Sequence, residues 1–169
     1  RVQAWGVGPG LGLDDRARQQ LTDVLAEPVP VVVDADGLTM LAEVPDLLRA
    51  RRAPTVLTPH AREFARLAPD LDVDDDPIMA VRTLAARLHS TVLLKGATTV
   101  VADADGQVRL NLTGTSWLAS GGTGDVLTGL IAGLLALTHL TMNAPNPFAA
   151  LTFATLFFAR VSAKLNLFL

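Results

Sequence analysis

The sequence predicts an α/β fold: a mostly parallel sheet flanked by helices on both faces, with a late β-hairpin. Short apolar runs rich in β-branched residues alternate along the chain with segments whose apolar residues recur at helical spacing, as in strand–helix–strand units. Near residue 100 this alternation gives way to two strand patterns joined by a short polar turn, which predicts a hairpin. At 169 residues the chain is long enough to bury one hydrophobic core, so a single domain is expected.

Three strand patterns occupy the first part of the chain: Val2–Val7, Val29–Val33 and Thr55–Thr58. The continuous apolar character of Val29–Val33 is typical of a strand buried on both faces, as in a parallel sheet. Helical spacing and capping residues predict the helices between them. These are a helix capped by Asp14 or Asp15, a segment over Leu38–Ala50 interrupted near Pro45, His60–Leu67 and Pro77–Leu88.

The later strands are predicted at Thr91–Leu94, Thr98–Ala102 and Gln107–Leu112. The Asp-Gly step within Asp103–Gly106 separates the last two and favours a type I′ turn. Two long apolar helices are expected beyond them, one following Gly121–Gly124 and one over Phe148–Leu165. Ligands of such sheets bind in the crevice beyond the carboxyl ends of the strands, so residues at those ends are the candidates for function.

Charge and amino-acid usage exclude several classes of function. The net charge is −3, from 14 basic and 17 acidic residues, so no nucleic-acid partner is expected. The chain contains no cysteine, which excludes disulfides, thiolate metal sites and cysteine nucleophiles. The sequence shows no targeting segment, and a cytoplasmic location is expected.

The stretch Val126–Ala159 contains no Asp, Glu, Lys or Arg. The loop-forming segment Asn143–Pro147 divides it into two parts that are short for a bilayer span, so no membrane insertion is expected. We interpret the two parts as helices buried in a core or in a subunit interface. Because apolar patches of this size rarely stay exposed, a homo-oligomer is expected.

The glycine run Gly121–Gly124, with Asp125 after it, is the motif most indicative of chemistry. Glycines before a helix let successive backbone N–H groups point at one place, and the helix N-terminus adds positive partial charge, which predicts a phosphate cradle. No Gly-Lys-Ser/Thr follows, so this is not a Walker A loop. A carboxylate beside phosphate favours Asp125 as a general base, which takes a proton from a hydroxyl that attacks a phosphoryl group. The alternative is an ordinary acidic first turn, where Asp favours the helix dipole.

Two further strand ends carry residues suited to a nucleotide site. Lys95 follows an apolar strand, where its ammonium group can reach a phosphate, and Gly96 permits close approach of the backbone. A surface lysine at a turn is the alternative. His60 follows Pro59 at a strand-to-helix junction, which would turn it towards the crevice, although a single histidine is more often structural.

The segment Gly8–Gly12 reads GPGLG, whose spacing differs from the GxGxxG fingerprint of dinucleotide-binding proteins, so that fingerprint is rejected. Asp34 and Asp36 directly follow the second strand. Either carboxylate could help to hold Mg²⁺ together with waters and phosphate oxygens. Equally, Asp36 could cap the next helix.

In this order, the motifs closely resemble those of the ADP/ATP-dependent NAD(P)H-hydrate dehydratases, a family of the ribokinase-like superfamily. They are GVGPGLG from Gly6, VVVDADGL from Val31, TPHAREFARL from Thr58, LKGATTVV from Leu94 and GGTGDVLTGLIAGLLA from Gly121. GTGD before an apolar helix is shared across the superfamily, including its vitamin and sugar kinases. GPGLG together with TPHxxEF and KGAxT is more specific to the dehydratases.

The resemblance implies repair of a damaged cofactor. Such enzymes use ADP or ATP, with Mg²⁺, to convert the (6S) hydrate of NADH or NADPH back to the reduced dinucleotide, by phosphorylating the hydrate hydroxyl and eliminating phosphate. Carried over by position, Asp125 is expected to be the catalytic base. Nucleotide contacts are expected from Lys95, Gly96, Ala97, Thr98, Thr99, Gly122, Thr123 and Gly124. Contacts with the hydrated dinucleotide are expected from Gly10, Gly12, His60 and Asp125.

The chain departs from the family pattern at both ends. It opens at Arg1 inside a predicted strand, so we interpret residues 1–169 as a single ribokinase-like catalytic domain that lacks its N-terminal part. The tail up to Leu169 lacks the His-Gly pattern of the family's closing helix. Two other functions stay open: a small-molecule kinase of the same superfamily acting on a vitamin or sugar, and a nucleotide-binding module without turnover.

Overall fold

The computed structural model describes residues 2–49, 51–112 and 122–142, together with residues 147 and 151. Its centre is a six-stranded sheet in which the strands lie side by side in chain order. The strands are β1 (Trp5–Val7), β2 (Val31–Val33), β3 (Thr55–Leu57), β4 (Thr91–Leu94), β5 (Thr99–Ala102) and β6 (Val108–Asn111). Strands β1 to β4 are parallel, and β5 is antiparallel to both of its neighbours, which confirms the mostly parallel sheet with a late hairpin.

Helices cover both faces of this sheet. Those in the described part are α1 (Asp15–Ala26), α2 (Ala35–Leu41), α3 (Asp46–Arg49), α4 (Ala61–Leu67), α5 (Pro77–Leu88) and α6 (Thr123–Met142). Val31 and Val33 of β2 point into a core shared with α1 to α5, whereas Val32 between them packs on the opposite face with α6. Because both faces are covered, β2 is apolar at every position, as the sequence predicted, and β3 and β4 are polar only at their first residue.

Capping residues determine where the helices begin. The Asp14 carboxylate accepts a hydrogen bond of 2.8 Å from a backbone N–H three residues later, so Asp14 and not its neighbour caps α1. Helix α2 begins earlier than predicted, at Ala35, because Asp34 caps it. Asp36 lies inside the first turn, so the alternative in which Asp36 is the cap is wrong.

The turn between β5 and β6 differs from the predicted type. Gly106 has φ = +87°, and no other residue of Asp103–Gly106 has a positive φ, whereas a type I′ turn needs two. Gly106 N donates to Asp103 O at 3.2 Å, and the strands pair again through Asp103 N and Gln107 O at 3.1 Å. The connection is therefore the three-residue form with glycine in the left-handed position.

The long apolar helix predicted after the glycine run is α6, which packs Leu127, Ile131 and Leu135 on the sheet. Within the described ranges, no helix combines the length and apolar character that a membrane span requires. The helix predicted over Phe148–Leu165 lies outside the described residues except at Leu151, which is buried in the same core as α6.

Candidate active site

The carboxyl ends of β1 to β4 form one edge of the sheet, and the predicted site residues follow these ends. Gly8–Gly12 follows β1, Asp34 follows β2, His60 comes shortly after β3, and Lys95 follows β4. The N-terminus of α6 reaches the same edge, because a Cβ placed on Gly124 would lie 3.5 Å from both Lys95 Nζ and Asp34 Oδ2. Five segments that are distant in sequence therefore meet around one crevice, where ligands of such sheets bind.

The loop after β1 takes a shape that only its glycines permit. Gly8 has φ = +126°, and a Cβ at this position would lie 1.8 Å from Asp34 O, so the loop passes directly against the end of β2. Gly12 N donates to Asp36 Oδ2 at 2.9 Å, which ties the loop to the first turn of α2. Gly10 and Gly12 are exposed at this edge, where the predicted substrate contacts are to be made.

His60 is the N-cap of α4. Its Nδ1 accepts hydrogen bonds from the backbone N–H groups of Arg62 and Glu63 at 3.1 and 3.2 Å, and the Glu63 carboxylate accepts from His60 N at 2.8 Å. This capping box orients the imidazole ring. Nε2 lies 3.5 Å from Glu63 Oε1, and the side chain is 48% exposed. His60 thus has a structural role, and its half-exposed ring is accessible to a ligand.

Lys95 points into the crevice, so its interpretation as a surface lysine is wrong. Its Nζ donates to Asp34 Oδ1 at 2.6 Å and lies 3.7 Å from Glu63 Oε2, and its side chain is 22% exposed. Its backbone N–H donates to Pro59 O at 2.8 Å, which holds the end of β4 beside the segment after β3. Two carboxylates therefore compensate the charge of the ammonium group in part before any ligand binds.

Asp34 is the most buried charged residue of the crevice, with a side chain that is 2% exposed. Oδ1 accepts from Lys95 Nζ and from Ala35 N at 2.9 Å, and Oδ2 accepts from Thr128 Oγ1 at 2.8 Å. Burying an unpaired carboxylate would cost several kcal/mol, roughly. The ammonium group and the two neutral donors offset that cost, and they come from the ends of two strands and from α6.

The N-terminus of α6 has the geometry of an anion site. Gly122 has φ = +86°, its carbonyl accepts from Val126 N at 3.2 Å, and the helix continues for 20 residues from Thr123. The first N–H groups of a helix have no acceptor within the helix, and the aligned peptide dipoles add positive partial charge there. Asp125 lies in this first turn with an exposed side chain.

The remaining predicted nucleotide contacts lie on the connection between β4 and β5. Gly96, Ala97 and Thr98 are exposed, and Thr99 is the first residue of β5. The connection starts at Lys95, whose ammonium group lies beside Gly124, so it borders the N-terminus of α6. Of the predicted nucleotide residues, Lys95 and Gly124 are thus brought together; the contacts of all of them with a nucleotide stay a prediction.

The sequence pattern of the NAD(P)H-hydrate dehydratase family matches residues 1–166. The chain belongs to this family. The bifunctional NAD(P)H-hydrate repair enzyme Nnr of Mycobacterium tuberculosis H37Rv is 59% identical over 136 residues, which cover 80% of this chain and 28% of that relative. The family resemblance predicted from the motifs is therefore confirmed.

Solved structures of similar proteins agree with this family assignment. The ADP/ATP-dependent NAD(P)H-hydrate dehydratase from Bacillus subtilis, co-crystallized with ATP/Mg²⁺, is 31% identical with a TM-score of 0.81; the match covers 97% of this chain and 56% of that one. A ribokinase-like superfamily protein from Enterococcus faecalis V583 is 30% identical, also with a TM-score of 0.81 and the same coverage. The ribokinase-like fold is thereby confirmed, and the chain spans little more than half the length of these structures and 28% of the repair enzyme.

The described residues of this family member contain no group of three or more His, Cys, Asp or Glu side chains that could hold a metal ion. Asp34 binds an ammonium group through one oxygen and a hydroxyl through the other, which makes it a poor metal ligand. Asp36 accepts from an uncharged N–H. Mg²⁺ is usually held by one or two carboxylates, water and the phosphates of its substrate, so it does not need a full set of protein ligands.

Sequence reasoning missed two residues of this site, Glu63 and Thr128. Glu63 is buried and completes the capping box, and the spacing H-x-x-E before an apolar residue is the signal that could have revealed it. Thr128 is a buried hydroxyl on the apolar face of α6, between Leu127 and Ile131 and three residues after Asp125. A polar residue on the buried face of a helix needs a partner, and this requirement is the signal for Thr128.

A groove of about 580 Å³ lies at the opposite edge of the sheet and contains none of the predicted site residues. It is lined by Thr22, Leu25, Ala26, Glu27, Pro28, Leu47, Arg51, Arg52 and Ala53. The Arg51 guanidinium donates to the carbonyls of Leu25, Glu27 and Val29 and to Thr55 Oγ1, and burial lowers its pKa from the ordinary value. Arg51 joins the end of α1 to the start of β3, so its role is structural.

Proposed function

We propose that this chain catalyses the nucleotide-dependent dehydration of (6S)-NAD(P)H hydrate to NAD(P)H, with ADP or ATP as phosphoryl donor. Membership of the dehydratase family supports this activity. The structural observation that carries the proposal is the position of Gly124 beside Lys95 and Asp34, because a Cβ placed on Gly124 would lie 3.5 Å from Lys95 Nζ and from Asp34 Oδ2. This position brings the N-terminus of α6, the Lys95 ammonium group and the exposed Asp125 carboxylate to the edge of the sheet where Gly8–Gly12 and His60 also lie.

Asp125 is the proposed general base. Its carboxylate takes the proton of the hydrate hydroxyl while the hydroxyl oxygen forms a bond to the terminal phosphorus, and the bond from that phosphorus to the nucleotide breaks. The N–H groups of the first turn of α6, together with Lys95, stabilise the charge on the transferred group. The phosphate then leaves with its bonding electrons, and loss of a proton from the adjacent ring carbon restores the double bond.

The other predicted residues position the two substrates. Gly10 and Gly12 form an exposed backbone surface for the hydrated dinucleotide, and the half-exposed ring of His60 contacts the same substrate. Gly96 to Thr99 line the nucleotide beside Gly122 and Thr123. Mg²⁺ would enter with the nucleotide phosphates and neutralise part of their charge. Of the two carboxylates proposed to assist it, Asp36 is the better placed, because its described partner is not a cation.

The activity is tested by following the dihydronicotinamide absorbance of the chain mixed with NADH hydrate, Mg²⁺ and either ADP or ATP. We expect a rise that requires nucleotide, and Asp125→Asn should lower kcat about 10²- to 10⁴-fold, the usual contribution of a general base. Asp105→Asn is the matched control, because it removes an exposed carboxylate on the β5–β6 turn, away from the crevice. Absence of a nucleotide-dependent rise would contradict the proposal.

Two further assays separate the alternatives. If a vitamin or sugar alcohol replaces the hydrate, a stable phosphorylated product would show a small-molecule kinase, provided that the hydrate itself yields no dihydronicotinamide. Nucleotide binding that is unchanged in Asp125→Asn, without turnover in either protein, would show a non-catalytic nucleotide-binding module. Free phosphate formed in step with the absorbance supports the dehydratase.

Self-association is also proposed, through α6. Val126 and Leu137 are 60% and 56% exposed, and their spacing of three helical turns places them on the same face. Burying such residues in a second copy would remove apolar surface from water. Sedimentation equilibrium tests this: Val126→Ser should shift a dimer towards monomer, and a monomeric wild-type chain would contradict it. A cytoplasmic location stays a prediction.

A further inference from the structure

We propose that Asp34 is a positioning residue that holds the Lys95 ammonium group and the N-terminus of α6 in one arrangement. The two carboxylate oxygens of Asp34 bind side chains from different parts of the fold. Oδ1 lies 2.6 Å from Lys95 Nζ, at the end of β4, and Oδ2 accepts from Thr128 Oγ1 at 2.8 Å, on α6. One buried group therefore connects β2, β4 and α6, which are otherwise separate in the chain.

The position of Thr128 makes this connection relevant to the active site. Thr128 lies one helical turn after Gly124 and three residues after Asp125. The hydrogen bond that fixes Thr128 therefore also fixes the turn that carries the proposed general base. Gly124 completes the contact, because a Cβ there would lie 3.5 Å from Asp34 Oδ2 and from Lys95 Nζ. Gly124 therefore lies beside the Asp34–Lys95 pair, and the first turn of α6 lies close to both side chains.

The apolar core around α6 fixes the position of the helix less specifically than the hydrogen bond between Thr128 and Asp34 does. Leu127, Ile131 and Leu135 anchor the helix to the sheet through apolar contacts, which are non-directional and permit small shifts along and about the helix axis. A hydrogen bond to a buried carboxylate has a defined distance and direction, so it selects one of these positions. Asp34 thereby sets how far the N–H groups of the first turn lie from Lys95.

The informative variant is Thr128→Val, which keeps the shape of the side chain and removes the hydroxyl. We expect the Kd for ADP, measured by titration calorimetry, to rise about tenfold, because the phosphate cradle loses its alignment with Lys95. We expect kcat to fall about 10- to 100-fold, since small misplacements of a reacting group have effects of this size. Thr128→Ser keeps the hydroxyl and should restore both values.

Thr138→Val is the matched control. Thr138 also lies on α6, but its hydroxyl donates to Leu135 O within the helix and has no link to Asp34. It should leave the Kd and kcat at wild-type values even if the melting temperature falls. All measurements are made at a temperature where each variant is folded, as judged by circular dichroism.

Asp34→Asn gives a second, independent measurement. The neutral amide keeps an acceptor for one partner but no longer holds the Lys95 ammonium group through an ion pair, so we expect kcat to fall as in Thr128→Val. In a double-mutant cycle, the second substitution should add little to the first, because both break one connection.

The outcomes separate this inference from the proposed function on which its kcat readout rests. If Thr128→Val only lowers the melting temperature, as Thr138→Val does, the connection is structural and the inference is overturned. If the wild-type chain binds ADP without dehydrating the hydrate, the proposed function fails, while the change in Kd still supports the positioning role. A wild-type chain that binds neither ADP nor ATP would overturn both.

Discussion

Replacing Gly8 by alanine tests how tightly the glycine loop is packed against the end of β2. The residue has φ = +126°, and the added Cβ would lie 1.8 Å from Asp34 O and 2.8 Å from Asp34 C. That carbonyl also accepts a hydrogen bond of 3.0 Å from Gly37 N, and Asp34 N donates to Val7 O at 3.0 Å. The backbone cannot move away from the new methyl group without disturbing these bonds.

The magnitude follows from three contributions. A left-handed conformation costs an alanine about 1–2 kcal/mol, overpacking a close contact costs about 1–3 kcal/mol, and a weakened backbone hydrogen bond costs about 1 kcal/mol. The expected loss is about 3–6 kcal/mol, which is a large share of the roughly 5–15 kcal/mol by which domains of this kind are stable. The structure therefore predicts that Gly8→Ala unfolds at a much lower urea concentration than the wild-type chain.

Gly10→Ala is the matched control in the same loop. Gly10 has φ = +66°, but nothing lies within 4 Å of the position of an added Cβ, so only the backbone penalty of about 1–2 kcal/mol applies. The assay is urea unfolding followed by far-ultraviolet circular dichroism, with the free energy of unfolding extrapolated to water. If the two variants lose the same stability, the close approach of Gly8 to Asp34 does not exist in solution and the reasoning is refuted.

Two further substitutions separate structural from functional contributions. His60→Ala should lose about 1 kcal/mol of stability because it removes an N-cap, whereas His60→Asn keeps an acceptor and should lose almost none. If His60 contacts the substrate, the KM for the hydrate rises in both variants. Identical urea unfolding curves for the alanine and asparagine variants would contradict the capping role. Arg51→Lys should lower the free energy of unfolding by about 2 kcal/mol or more, since lysine cannot reproduce the planar set of donors that binds three backbone carbonyls. Arg52→Lys, at an exposed neighbour, should change the urea midpoint little, and indistinguishable midpoints for the two lysine variants would contradict the role of Arg51.

Much of the secondary structure could be predicted because its signals are local. Helix α5 and strand β4 have the predicted bounds, Pro77–Leu88 and Thr91–Leu94, since a capping Asp76, a proline at the first helical position and a β-branched apolar run act over a few residues. The turn type at Gly106 was predicted incorrectly. The Asp-Gly step shows that a left-handed residue is needed, but the pairing of the strands decides how many residues the turn contains.

The candidate site was only partly predictable for the same reason. Lys95 and the run Gly121–Asp125 were identified from residue types at the ends of predicted elements, whereas the substrate contacts of Gly10, Gly12 and His60 were implied by the family resemblance. The placement of the strand ends at one edge follows from a parallel sheet. The contacts of Asp34 were not identified, and it was considered only as a weak candidate for holding Mg²⁺. Its partners Lys95 and Thr128 lie 61 and 94 positions away in the chain, beyond the reach of any local pattern.

The sequence by itself determined the fold class, the family and the residue types that surround the crevice, because periodicity, capping and motif spacing are properties of neighbouring residues. Only the tertiary structure decided that Asp34 pairs with Lys95, that Thr128 binds the same carboxylate and that Gly124 lies over both. Those contacts depend on the order of the strands and on where α6 packs across the sheet. Both are set by burial of the whole apolar core, to which residues throughout the chain contribute.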